Sequence, residues 1–140
     1  MNALIDTCVI IDALQNRLPF AEPAQQIFLL AANRLIDGHL TAKSVTDIYY
    51  LMHRHTHSDA ETRTWLGRLL ELFSVLDTAA SDCINALASP TSDYEDAVMI
   101  ETARRCRLDC IVTHNPRDYS HATVPVMSPE VFLAKIADGE

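Results

Sequence analysis

The 140-residue sequence has no apolar run approaching the roughly 20 residues that a membrane-spanning helix needs. Its first residues, Met1-Asn2-Ala3-Leu4-Ile5-Asp6, also lack the basic flank and long apolar core of a secretory signal, so a cytoplasmic protein is expected. Paired cysteines are missing too. Cys8, Cys83, Cys106 and Cys110 are scattered without a Cys-x-x-Cys pair, and read as buried free thiols rather than disulfides or zinc ligands. Basic residues are scarce, 11 against 19 acids, and the net charge of −8 argues against the broad positive footprint of a generic nucleic-acid binder. It leaves room for an enzyme that acts on nucleic acid, because divalent cations held by clustered acids invert the local field. Only Lys43 and Lys135 are lysines; the remaining basic residues are arginines, suited to bidentate contact with phosphate. Repeats, low-complexity tracts and long linkers are absent.

A chain of this length buries roughly two-thirds of its unfolded surface and needs no metal or disulfide to fold, so residues 1–140 are expected to form a single domain. Short apolar runs alternate with helical patterns. Ala3-Leu4-Ile5, His39 to Ala42, Phe73 to Asp77, Cys110 to Thr113 and Thr123 to Met127 read as strands, the last on an edge because of Pro125. Between them, a helix from Pro23 is expected to stop at Gly38, and others to open at Ser44, at Ser58 with Glu61, at Ala80 and at Ser128-Pro129. Parallel neighbours require crossover connections, so this alternation predicts an α/β sandwich with a central parallel sheet of about five strands flanked by helices.

The chemistry lies in the acids. Ser92 and Glu95 form a capping-box pattern, after which Asp93, Asp96, Ala97, Ile100 and Ala103 share one stripe and Glu95 points away. A carboxylate on a core-facing stripe is costly unless it is paired or holds a cation, although a helix N-terminus itself favours negative charge. Asp6 ends the first strand, at the edge where open parallel sheets collect ligands, and reads either as a helix N-cap or as a ligand. Asp47 is expected in the first turn of its helix, where an acid also stabilises without any catalysis. Asp12 reads as a solvated or outer acid. His53 and His57 are spaced i, i+4 without the Glu of a zinc protease, and read as partners of the helix dipole. Trp65 reads as core or interface. Acids gathered without a Lys or Arg in their motifs raise one another's pKa unless Mg²⁺ or Mn²⁺ supplies the missing charge. All-oxygen ligands favour these ions over zinc, and a pair of them suits phosphodiester cleavage.

Leu4-Ile5-Asp6-Thr7, Ser44-Val45-Thr46-Asp47-Ile48-Tyr49-Tyr50, Asp93-Tyr94-Glu95-Asp96-Ala97 and Ile111-Val112-Thr113-His114-Asn115-Pro116-Arg117-Asp118-Tyr119 resemble, in order and spacing, the successive motifs of the PIN domain family. The resemblance implies a Mg²⁺- or Mn²⁺-dependent ribonuclease acting on RNA, commonly the toxin of a VapBC-like toxin–antitoxin pair, with a cognate antitoxin partner and a homodimeric state. It assigns Asp6 and Asp96 as metal-binding acids, and Asp47 as a further catalytic acid where many members have Glu and some subgroups Asn. Asp118 fills the last acidic position, with Asn115 as a neutral partner, and Asp93 is an extra ligand candidate. Thr7 is a supporting residue beside Asp6, and Cys8 replaces the Asn that usually follows Asp-Thr. Arg117, His114, Arg54 and Lys43 lie near the motifs as candidates for substrate phosphate, with solvated surface charge as the competing reading. Two other readings remain: a catalytically silent regulatory or nucleic-acid-binding protein of the same fold, and a phosphoacceptor domain using Asp6, against which the lack of a Lys after a late strand speaks.

Overall fold

The computed structural model describes residues 1–139. Its sheet has the order β3 (Ser74–Leu76), β2 (Asp37–Thr41), β1 (Asn2–Ile5), β4 (Cys110–Val112), β5 (Val126–Met127), with every pair parallel. The expected α/β architecture with five parallel strands is therefore the observed one. The chain builds outward from β1 to β3, then returns across β1 to add β4 and β5. The point of reversal lies between β1 and β4, where a parallel sheet opens a crevice at the carboxyl ends of its strands.

β1 is buried on both faces, which is why it reads as an unbroken apolar run. Alternation divides it between two cores. Ala3 and Ile5 join Val9, Ile27, Ile48, Phe73 and Phe132 on one face, supplied by α1 (Thr7–Leu14), α2 (Ala21–Ala32), α3 (Ala42–Thr56), α4 (Asp59–Leu72) and α7 (Pro129–Ala137). Leu4 turns to the other face and meets Ile100 and Ala103 of α6 (Tyr94–Arg105), together with Ile111 and Tyr119. α5 (Ala80–Ala86) packs on α6 through Asp82, which is buried. The Asp82 carboxylate accepts from Arg105 Nε and Nη2 at 2.9 and 3.0 Å, from Thr102 Oγ1 at 2.9 Å and from the Ala79 N–H at 2.9 Å. With every oxygen satisfied, this buried charge fixes the axial position of α6.

Several helix ends differ from the sequence expectation, each for a local reason. α3 starts at Ala42 rather than Ser44, because the Thr41 hydroxyl accepts from the Ser44 N–H at 3.1 Å and so caps the helix earlier. Asp47 consequently sits in the second turn, not the first. α6 is capped by Asp93, whose Oδ1 accepts from the N–H groups of Glu95 and Asp96 at 2.8 and 3.3 Å, so Ser92 is not the cap. α2 ends at Ala32, and Arg34, with φ of 56°, turns the chain where Gly38 was expected to do so. Gly38 instead lies inside β2, where an added Cβ would fall 2.6 and 2.8 Å from Cδ1 and Cε1 of the buried Phe73 ring.

Gly38→Ala is therefore expected to destabilise the fold by about 1–3 kcal/mol through overpacking, as read by urea denaturation. In the double variant Gly38→Ala/Phe73→Leu the two costs should add to less than their sum. A Gly38→Ala protein as stable as the parent would refute this account.

Candidate active site

One step beyond the paired residues Ile5 and Val112, the ends of β1 and β4 deliver Asp6 and Thr113 side by side. The Asp6 N–H continues the ladder to the Val112 carbonyl at 2.9 Å. Asp6 has the extended backbone of an N-cap for α1, yet its side chain makes no cap bond. It accepts instead from Thr113 Oγ1 at 2.8 Å and from Cys8 Sγ at 3.5 Å, both at Oδ2. Among the described residues Oδ1 has no donor, so the ordinary N-cap reading fails and the carboxylate is turned into the crevice. Thr113, fully buried, also accepts from the Asn115 N–H at 3.2 Å, which ties the start of the following loop to Asp6.

Asp6, Thr7, Lys43, Asp47, Arg54 and Asp96, together with Glu95, line a cavity of about 440 Å³ floored by Met99. Ser44 Oγ donates to Met99 Sδ at 3.5 Å, packing the start of α3 against α6 beneath it. The sheet edge and two helix beginnings thus bring together Asp6, Asp47 and Asp96 from distant parts of the sequence. Burial first, then the charges of Asp93 and Asp6, raise the Asp96 carboxyl to about 6, with Asp118 adding to the shift. Asp93 and Asp118 are exposed at the rim rather than in the lining, close enough for Asp96 to feel their charge. Asp118 lies in a 3₁₀ turn, Pro116–Tyr119, whose Tyr119 side chain is buried. The Tyr119 hydroxyl faces Asp96 closely enough to lower its pKa somewhat, but forms no hydrogen bond of ordinary geometry.

The acids divide by counter-charge. Lys43 Nζ lies 2.5 Å from Asp47 Oδ2 and 3.0 Å from Glu95 Oε2. Burial alone would lower the Lys43 ammonium, but its hydrogen bonds to these two carboxylates outweigh it and raise the pKa. Lys43 thus has two partners within the protein. Glu95, expected to point away, is exposed at the mouth and reaches Lys43 because both side chains are long. Among the described residues, no Lys, Arg or His forms an ion pair with Asp6, Asp93, Asp96 or Asp118.

The remaining candidates scatter. Arg54 lines the cavity, exposed and without an ion pair among the described residues, whereas Arg117 and the Asn115 side chain are exposed outside it. His114 lies outside the cavity lining: it stacks on Phe20 with ring centroids 4.3 Å apart, and its Nδ1 bonds Asp12. Asp12, expected to be solvated, is buried for the same reason. Thr113 escaped the sequence reading as a site residue, although its place at the end of the strand beside Asp6 was the available signal.

No three His, Cys, Asp or Glu side chains among the described residues are grouped tightly enough to hold an ion as they stand. The donor chemistry nevertheless fits a hard divalent cation. It consists of carboxylate oxygens whose crowding is uncompensated, and the neighbouring Cys8 is no soft thiolate, since burial and Asp6 push its thiol up to about 12.

A family model described as the PIN domain matches residues 2–117, and the chain belongs to that family. No curated protein matches. Among solved structures the chain is similar to DNA-bound VapBC from Salmonella typhimurium, at 16% identity and a TM-score of 0.69 over 92% of this chain and 98% of that one. It is likewise similar to FitAcB from Neisseria gonorrhoeae, at 22% identity and a TM-score of 0.66 over 91% of this chain and 98% of that one. A third similar structure is Mycobacterium tuberculosis VapC20, described as a sarcin–ricin loop cleaving toxin, at 14% identity and a TM-score of 0.61 over 78% of this chain and 86% of that one. At these identities the likeness is one of fold.

Because the folded-state pKa of Asp96 is raised to about 6 from 3.8, the fold binds its proton more tightly than the unfolded chain does, and stability falls as pH rises between those values. Asp96→Asn removes the penalty. In metal-free buffer its urea midpoint should exceed that of the parent at pH 7, with the gap closing towards pH 4; a variant less stable than the parent at pH 7 would contradict the uncompensated charge.

Proposed function

We propose that this protein is a Mg²⁺- or Mn²⁺-dependent endoribonuclease that hydrolyses RNA phosphodiester bonds, and that it is the toxin of a VapBC-like toxin–antitoxin pair. The observation that carries this reading is the placement of Asp6 and Asp96, without counter-charge, in one cavity at the reversal point of the sheet. Asp6 and Asp96 would hold the ion, with Asp93 and Asp118 able to add outer oxygens from the rim. When bound, a divalent ion supplies Lewis acidity and lowers the pKa of an attacking water.

The protein's own groups carry the rest. Thr113 holds Asp6 with Oδ1 directed to the cavity, so the carboxylate needs no reorganisation to bind. Arg54, free of ion pairs, is placed to contact a phosphate at the cavity wall. No Ser, His or Cys nucleophile is required; Cys8, held protonated, is unsuited to that role.

An antitoxin partner and a homodimer accompany this reading. The VapBC complexes among the structural neighbours support the antitoxin; the dimer rests on the family likeness alone. A catalytically silent protein of the same fold is favoured by two features: Cys8 in the place of the family's Asn, and the lack of three ligands already gathered at one point.

The two readings separate in a cleavage assay with purified protein and RNA. Cleavage should require Mg²⁺ or Mn²⁺ and stop with EDTA. Thr113→Val should lose about 10–100-fold, as outer partners of metal ligands do, while Asp6→Asn and Asp96→Asn lose more. Undiminished cleavage by both carboxylate variants would refute the proposal, and no cleavage of any RNA by a folded, metal-loaded parent would favour the silent reading.

A further inference from the structure

Asp47 and Glu95 differ from the other acids of the cavity in already possessing a cation. We propose that Lys43 takes the place of a second metal ion, so that the working site holds a single divalent ion, at Asp6 and Asp96. This rests on the metal-dependent reading above and deepens it.

The charge distribution carries the inference. Lys43 rises from the first turn of α3 and contacts Asp47 one turn later on its own helix, at 2.5 Å, and Glu95 in the first turn of α6, at 3.0 Å. It therefore spans the mouth of the same cavity that Asp6 and Asp96 line from below. Two of its three ammonium donors are engaged, and the pair of carboxylates retains only one net negative charge. Asp6, Asp93, Asp96 and Asp118 have no such partner among the described residues. In two-ion phosphodiesterases the ions lie about 3.5–4 Å apart, each needing carboxylate oxygens of its own. Here one oxygen of Asp47, on α3, and one of Glu95, on α6, already meet a compact point charge, which also repels a second cation brought beside it. Divalent charge is thus demanded at one side of the cavity only.

Counting bound ions tests this without relying on catalysis. Mn²⁺ is titrated into the full chain and followed by calorimetry and by the electron paramagnetic resonance of free Mn²⁺. The parent and Lys43→Arg, which keeps the charge, should each bind one ion. Lys43→Met, with Lys43→Gln as a check on packing, should gain a second, weaker site through the released Asp47 and Glu95. The triple variant Lys43→Met/Asp47→Asn/Glu95→Gln should return to one. Two ions in the parent, or a single ion in both neutral Lys43 variants, would overturn the role given to Lys43 while leaving metal dependence intact. No ion in the parent would overturn the metal-dependent reading itself, and this inference with it.

Discussion

The hydrogen bond from Thr113 to Asp6 joins the ends of the two strands between which the sheet reverses direction, and the geometry of the acidic hollow follows from it. Because β1 and β4 are parallel and in register at Ile5 and Val112, the next residues must emerge together on the same edge. A hydroxyl at one of those positions gives the carboxylate at the other a donor that is not the helix N-terminus. Asp6 is thereby prevented from folding back as a cap, and its free oxygen is presented where α3 and α6 begin.

What surrounds that carboxylate is a division of labour among charges. α6 is pinned by the pair of buried Asp82 and exposed Arg105, in which the carboxylate has every oxygen satisfied and so acts as a structural rivet. Its first turn, by contrast, carries Asp96 into a region where burial and neighbouring acids work against ionisation. A fold selected only for stability would not keep both features on one helix. The unfavourable charge is thus localised where the sheet opens, and well-satisfied networks elsewhere on the helix compensate for it.

The sequence made the architecture legible because most strands are short apolar runs separated from the next by helical spacing, which a parallel sheet with crossovers accommodates. Asp6 and Asp96 were legible for a similar reason: one follows a buried strand, and the other begins a buried stripe. Capping residues and side-chain partnerships were harder to see. Thr41 displaced Ser44 and Asp93 displaced Ser92 because several neighbouring residues could serve as caps, and tertiary contacts decide among them. Gly38 resembled a helix stop, while its true cause, the Phe73 ring lying over β2, is invisible without packing. His114 and Asp12 looked like surface charges because their mutual bond spans most of the chain. The pairing of Lys43 was hidden for the same reason, since its second partner, Glu95, comes from a helix far along the sequence.

Cys8 adds a constraint of a different kind. Wedged between Asp6 and Thr113, it has its thiol pushed up to about 12 by burial and by the Asp6 charge, which disfavours the thiolate. Peroxide, alkylating agents and thiophilic ions react with the thiolate, so the thiol beside Asp6 is held in its less reactive form. The hollow therefore meets an arriving metal ion with carboxylate oxygens and a protonated S–H beside Asp6, a donor set that suits a hard cation better than a thiophilic one.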